Sequence, residues 1–264
     1  VNYADKNAYF ILIEDIVLTD ADYDFGGAFY NVGNGVVTIG NAEVAFNGHF
    51  SGLHNGKVHS ITGLRTSGNT FGGLFGATDG AEISDLIINN ADISGSANAG
   101  VLVGRSDNTT IRNVTVNSSK VTATQAGAVA GGLVGVGNST IIEDVALNSV
   151  EVATTLDSTS ATLETAGGVA GIYDGLVRKA ALYDVSVISG TVGGGIVGVA
   201  AAFGTRDGLE KHEHRQKHGD DSLCVHVCFS FLLRNIFYTT PLRHGIQFLF
   251  DGAGSRRRRR VYDQ

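Results

Sequence analysis

A short glycine element recurs along this chain, and its recurrence constrains the fold more than any other feature. The element is Gly-aliphatic-x-Gly, and its copies follow one another at spacings of 28, 31, 36 and 27 residues. The last glycines of the copies are Gly76, Gly104, Gly135, Gly171 and Gly198. The first copy opens with Gly73 and Leu74 and the third with Gly132 and Leu133, whereas Val101 opens the second. Such spacings indicate stacked structural repeats.

Aliphatic residues recur seven, ten, twelve and seventeen positions after each of these anchor glycines. The first three copies place there Ile83, Leu86, Ile88 and Ile93; Ile111, Val114, Val116 and Val121; and Ile142, Val145, Leu147 and Val152. After a one-residue deletion, the fourth copy continues with Val177, Ala180, Leu182 and Val187. The positions at ten and twelve are two residues apart, so their side chains share one face of an extended strand.

The runs between the glycines are typical of short strands rather than helices. β-branched residues dominate them, and Gly, Asn, Asp, Ser and Thr interrupt them every few residues. One such unit cannot bury its apolar face alone, so the core must form by stacking on the next unit. We therefore predict an all-β fold, a right-handed parallel β-helix, or β-solenoid, from about residue 8 to 203.

Glycine and asparagine have two separate roles in this prediction. We expect the glycines either at positive φ in the corners or where one backbone passes close to another. Asn89, Asn117 and Asn148 each follow their anchor by thirteen residues. We expect them to form an asparagine ladder whose amides bond from coil to coil and tolerate left-handed corners.

The repeats and the segment before them resemble a known family. Gly-Leu-Phe-Gly at 73–76, with the Ile, Leu, Ile spacing after it, is similar to the GLUG repeat, named for Gly-Leu-any-Gly. YFILIEDIVL (9–18), FNGHFSG (46–52) and HSITGL (59–64) resemble the segment that precedes these repeats in immunoglobulin A protease-like and bacterial surface proteins. Ser51 departs from the usual Asp, and LHNGKV (53–58) lengthens the turn. The resemblance implies a noncatalytic segment outside a bacterial cell, used as a stalk or for adhesion.

The distribution of charge excludes some partners. Residues 1–204 contain eight basic and 19 acidic side chains, whereas residues 205–264 contain eleven basic and seven acidic ones. Because binding phosphates requires a basic face, we expect neither nucleic acid nor an anionic membrane as the main partner of residues 1–204. Since the sequence starts at Val1 without methionine, we expect it to continue a longer parent chain.

Two sets of acidic residues are candidates for chemistry. Asp85 and Asp144 share one repeat position, with Asn113 between them, and two coils would separate them by about 9–10 Å. They are solvated outer-face charges or part of a polysaccharide-cleaving site. The cluster Asp15, Asp20, Asp22 and Asp24 could bind calcium, but Phe25 stands where an EF-hand loop needs glycine. We assign no catalytic residue, cofactor or metal ligand.

The last 61 residues differ from the rest of the chain. The immunoglobulin A proteases of the resembled family are zinc enzymes, but their H-E-x-x-H motif is absent because His212-Glu213 is followed by Gln216 in the place of the second histidine. SLCVHVCFSFLLRNIFYTTPL is nearly long enough to span a bilayer, yet it contains His226 and Arg234, so we expect no span. We expect this tail to be poorly ordered or translated out of frame.

These observations divide the chain into 1–72, the amino-terminal segment with the first coils; 73–203, the GLUG-repeat β-helix; and 204–264, the discordant tail. We expect a location on the cell surface or outside the cell and a partner on a host or matrix surface, with glycan as one class. The alternative is a carbohydrate-active β-helix that binds or cleaves a polysaccharide.

Overall fold

The structure, a computed structural model, describes residues 5–6, 8–30, 35–155 and 163–200 of the 264-residue chain. The discordant tail at 204–264, with its His212-Glu213 stretch and its apolar run, lies outside the described residues. Within the described part the secondary structure is almost entirely β.

The amino-terminal half begins with short strands and one helical turn. Its elements are β1 (Tyr9–Ile11), β2 (Ile16–Val17), α1 (Asp20–Tyr23), β3 (His49–Ser51), β4 (Leu53–His54), β5 (Lys57–Val58), β6 (Ser60–Thr62), β7 (Arg65–Gly72), β8 (Phe75–Asp79), β9 (Glu82–Asn89) and β10 (Asp92–Gly100).

The strands lengthen in the repeats that follow. They are β11 (Val103–Asp107), β12 (Thr110–Ala123), β13 (Val129–Gly131), β14 (Val134–Thr154), β15 (Thr165–Gly167), β16 (Ala170–Tyr183), β17 (Ser186–Ile188), β18 (Val192–Gly194) and β19 (Val197–Ala200).

Strands one coil apart pair in parallel, which makes the described part a β-solenoid of about five coils and confirms the predicted fold class. β9 pairs with β12, β12 with β14, and β14 with β16. Parallel pairing requires a long crossover between partners, and here each crossover is the rest of one coil.

The register of these ladders matches the alignment of the repeat copies. Ile83 lies opposite Ile111, which lies opposite Ile142, and Ile142 lies opposite Val177. The one-residue deletion in the fourth copy appears as a register shift between β14 and β16, with Ser139 left over at the irregularity. The shift restores the alignment within two residues, so the aliphatic columns continue into the fourth coil.

These columns form the core inside the coils. Leu86, Val114, Ile88, Val116 and Leu147 are all fully buried. Burying one such side chain contributes about 1.5–3 kcal/mol relative to leaving it exposed. The same column therefore contributes again with every coil, which explains why the repeat keeps an aliphatic residue at each of the four positions.

The amino-terminal segment forms the start of the stack and differs from the later coils in a hairpin and in a longer connection. β1 and β2 pair with β3 and β6 of the next coil. The longer turn LHNGKV folds as an antiparallel hairpin, β4–β5, with Asn55 and Gly56 both at positive φ, as a two-residue type I′ loop requires. Thirty-one residues (18–48) separate β2 from β3, whereas nineteen (63–81) separate β6 from β9 one coil later.

The helical content of the described residues is too small for a membrane-spanning helix. Its one helix, α1, has four residues, and no described helix is both long and apolar enough to cross a bilayer.

Candidate functional site

The three asparagines of the predicted ladder lie directly above one another on the outer side of the coils. Nδ2 of Asn117 donates to Oδ1 of Asn89 at 2.8 Å, and Nδ2 of Asn148 donates to Oδ1 of Asn117, also at 2.8 Å. Nδ2 of Asn89 in turn donates to the Thr62 hydroxyl at 3.2 Å. The row ends at Tyr183, which lies opposite Asn148 and is mostly exposed.

The left-handed corners are not formed by these asparagines, so that part of the prediction is wrong by one residue. The residue after each ladder asparagine has positive φ: Asn90 at 50°, Ser118 at 48° and Ser149 at 54°. The ladder asparagines belong to the strands, where adjacent coils bring their amides into contact. Short polar side chains adopt the left-handed conformation more readily than most residues, which accounts for their place at the corners.

The anchor glycines are required by close approach rather than by corner geometry. A Cβ at Gly135 would lie 2.5 Å from the carbonyl oxygen of Gly104 and 2.9 Å from the amide nitrogen of Ala99. A Cβ at Gly171 would lie 2.7 Å from the carbonyl oxygen of Ala130. Of the two roles expected for glycine, the close passage of one backbone over another is the one that applies at these anchors.

Asp85 and Asp144 occupy corners, both at positive φ, and each carboxylate has a partner in the next coil. Nδ2 of Asn113 donates to Asp85 at 2.7 Å, and the Lys179 ammonium lies 3.1 Å from Asp144. The Asn113 amide therefore lies between the two carboxylates, and each carboxylate contacts a side chain of the next coil.

Charges also alternate from coil to coil along one outer face of the solenoid. Arg65 lies opposite Asp92, Asp92 opposite Lys120, and Lys120 opposite Glu151. The Lys120 ammonium is 3.7 Å from the Glu151 carboxylate. If a coil paired with the coil two steps away and not with the next one, like charges would lie opposite each other. The alternation of charge therefore favours the observed stacking.

Hydroxyl pairs replace aliphatic contacts at one inner corner. The Thr109 hydroxyl donates to the Thr78 hydroxyl at 2.9 Å, and the Ser106 and Thr140 hydroxyls lie 3.0 Å apart. All four residues are buried. Since a buried polar group without a partner is costly, pairing between coils is what permits these hydroxyls inside the solenoid.

Asp15 joins the first coil to the second. Its carboxylate accepts hydrogen bonds from the Lys57 ammonium at 2.7 Å and from the Ser60 amide at 2.8 Å, and Nδ1 of His59 lies 3.3 Å away. The hydrogen bond from Lys57, followed by that from the Ser60 amide, holds the pKa of Asp15 well below its usual range. Asp15 is thus a structural contact between coils.

The other three aspartates proposed for calcium lie on or beside one helical turn. Asp20 pairs with Arg65, whereas the carboxylate of Asp22 accepts a hydrogen bond from the Thr19 amide at 2.7 Å and caps α1. Asp24 follows the helix as its carboxyl-terminal cap. Among the described residues, no group of three or more His, Cys, Asp or Glu side chains could hold a metal ion.

A groove along β7 was not predicted from the sequence. It consists of two depressions, of about 350 and 400 Å³, which are lined by consecutive stretches of the strand, residues 65–67 and 68–71. The first is lined by residues that include Tyr23, Arg65, Ser67, Asp92 and Ser94, and the second by residues that include Asn41, Glu43, Asn69, Thr70 and Phe71. We call this pair of depressions the β7 groove. The available signal was the connection at 18–48, which is twelve residues longer than its counterpart at 63–81 one coil later.

The fold and these ladders define the class of protein, a parallel β-solenoid built from Gly-aliphatic-x-Gly repeats. A scan against protein-family models finds no matching family, and searches of curated proteins and of solved structures find no significant match.

Proposed function

We propose that this solenoid is a noncatalytic, GLUG-type repeat segment of a bacterial surface protein, where it acts outside the cell as a stalk or adhesion module. One observation carries the proposal: polar and charged side chains on the outer faces bond from one coil to the next. The amide ladder Asn89–Asn117–Asn148 and the pairs Asp85–Asn113 and Asp144–Lys179 are examples.

Side chains engaged in this way strengthen the stack, and the two acids that share a repeat position, Asp85 and Asp144, are among them. A general acid or base must reach the proton that it transfers, and the glycoside-cleaving pattern needs two carboxylates on either side of the bond. Asp85 and Asp144 instead serve as corner residues with partners of their own.

The proposed mechanism is mechanical. Backbone ladders and stacked aliphatic side chains hold each coil to the next, so force applied along the stack is shared among many hydrogen bonds of about 0.5–1.5 kcal/mol each. The polar residues on the outer faces are then available to contact a host or matrix surface.

Beads coated with the full chain would test this proposal. We expect them to adhere to epithelial cells or matrix-coated surfaces more than beads coated with an unrelated acidic β-protein. Protease treatment of intact producing cells should remove the segment. Release of reducing ends from a panel of polysaccharides would contradict the noncatalytic role, and protection of the segment in intact cells would contradict its surface location.

A further inference from the structure

The β7 groove has the size and the polar lining of a ligand-binding site. Its two depressions, about 350 and 400 Å³, each fall within the range usual for small-molecule sites. They line consecutive stretches of β7 on either side of Gly68, whose φ of 72° turns the strand at that point.

Several polar side chains in the groove can bind a ligand. Among the described residues, no hydrogen bond or ion pair joins another side chain to the Asp92 carboxylate or to the hydroxyls of Ser67 and Ser94, although all three line the first depression. Asp92 lies opposite Arg65 and Lys120 in the neighbouring coils. Asp92 is exposed and Ser94 half-buried. This contrasts with Asp85 and Asp144, whose carboxylates are engaged between coils.

The first depression also contains a positioned cation. The Arg65 guanidinium lies 5.1 Å from the centre of the Tyr23 ring and pairs with Asp20. The Tyr23 hydroxyl donates to the Gly63 carbonyl and accepts from the Arg65 amide, both at 2.9 Å. Arg65 is therefore held in place from two sides, with part of its side chain still exposed.

The second depression extends the polar surface along the strand. Oδ1 of Asn41 accepts hydrogen bonds from the backbone amides of Glu43 and Val44, both at 2.9 Å. These bonds stabilise the loop 41–44 at one side of the second depression. Thr70 is exposed and Phe71 half-buried on the near wall. Hydroxyl, amide and carboxylate groups can hydrogen-bond to a ligand ring that bears many hydroxyls. A neighbouring aromatic side chain can pack against the face of that ligand ring.

An added β-strand fits the groove less well. Among the described residues, the edge of β7 that faces away from β10 has one isolated bridge, Gly35 with Thr66, so part of that edge is open. However, Gly68 has a φ of 72°, and the pairing of β7 with β10 shifts register twice along the strand. Strand addition requires a regular edge, which this one is not.

We propose that the β7 groove binds a neutral oligosaccharide. Arg65, Asp92 and Glu43 line the groove. Because Asp20 pairs with Arg65, an excess of negative charge opposes acidic glycans. The carboxylate of Asp92 and the guanidinium of Arg65 bind pairs of sugar hydroxyls, and the serine and threonine hydroxyls bind single ones. The inference rests on the proposed adhesion function, for which it names the ligand.

Calorimetric titration of the full chain with neutral hexasaccharides of glucan, xylan, mannan and chitin tests the inference. We expect at least one to bind, and we expect Asp92→Asn and Thr70→Ala each to weaken that binding about tenfold, the loss typical of one or two hydrogen bonds. The matched controls are Glu151→Gln, in the same outward row two coils away, and Thr115→Ala, and both should bind as the unaltered chain does.

Three results would overturn the inference: no neutral hexasaccharide binds, a polygalacturonate hexamer or an extended peptide binds instead, or Asp92→Asn and Thr70→Ala bind as tightly as the controls. The bead assay separates this failure from failure of the proposed function. Beads that adhere equally with and without Asp92→Asn leave the adhesion proposal standing and remove the groove from it, whereas beads that do not adhere contradict the adhesion proposal itself.

Discussion

At the scale of single residues, the solenoid depends on short polar side chains at its corners. In the coil that starts at Gly76, left-handed residues follow at Gly80, Asp85 and Asn90, five residues apart. The next coil repeats this spacing with Asn108, Asn113 and Ser118. Between two corners, a pair of side chains two residues apart points inward, as Leu86 and Ile88 do. These two sides of a coil are therefore five-residue units.

The asparagine ladder should contribute measurably to stability. In Asn117→Ala, Asn148 loses its acceptor and Asn89 loses its donor, so we expect the free energy of unfolding to fall by about 1–3 kcal/mol. Thr115→Ala is the control, because it shortens a half-buried side chain two residues earlier on the same strand face. Denaturant unfolding of both variants measures the difference, and equal losses would show that the ladder amides add nothing.

Asp15 should make stability depend on acidic pH. Its pKa in the folded chain lies below the ordinary value of about 3.9, chiefly because of Lys57, so its contribution is present above pH 4 and is lost as the pH falls further. We expect Asp15→Asn to be less stable than the unaltered chain at pH 7, with the difference shrinking below pH 4. Thermal unfolding at pH 7, 4 and 2.5 measures it. A difference that is constant over this range would contradict the assignment.

At the scale of strands, the glycine elements decide how closely adjacent backbones approach. The strand that contains Gly135 lies against the carbonyl of Gly104 on one side and the backbone of Ala99 on another. Both neighbours are backbone atoms, which cannot move aside as the end of a flexible side chain can. The last glycine is kept in all five copies, and a first glycine such as Gly132 is crowded as well, since a Cβ there would lie 2.1 Å from the carbonyl oxygen of Gly168.

Substitution of an anchor glycine should destabilise the stack. A Cβ in Gly135→Ala would lie 2.5 Å from a carbonyl oxygen, so we expect a loss of about 1–3 kcal/mol or more from overpacking. Gly195→Ala is the matched control, since a Cβ there has no neighbour within 4 Å. Chemical denaturation of the two variants distinguishes them, and an equal effect would refute the close-approach explanation.

The strands also show which parts of the fold the sequence could predict. Aliphatic residues such as Ile83 and Ile111 mark the register, because stacked coils bury the same positions and a one-residue slip would expose them. The five-residue spacing of the corners, with residues such as Asp85 and Asn90, was not predicted, because aliphatic positions alone do not reveal which residue takes positive φ. The β7 groove was not predictable, because Tyr23 and Asn41 reach it through contacts distant in sequence.

At the scale of the whole molecule, the described solenoid resembles a one-dimensional array. Each coil pairs only with the coils before and after it, so stability is the sum of coil and interface contributions. β12 and β14 have partners on both sides, whereas β1 and β2 in the first coil pair only with β3 and β6 among the described strands. An array with unequal ends is expected to open from an end.

Hydrogen exchange should therefore show a gradient along the stack. We expect the amides of β12 and β14 to exchange only through global unfolding, because their bonds lie between paired coils, and those of β1 and β2 to exchange much faster through local opening. Mass-spectrometric exchange of the full chain at pH 7 measures both sets in one experiment. Asn117→Ala should speed exchange in β9, β12 and β14 more than in β1, since its lost hydrogen bonds belong to those strands. Equal protection of all coils would instead show that the coils unfold as one cooperative unit, in which the end coils are as stable as the centre.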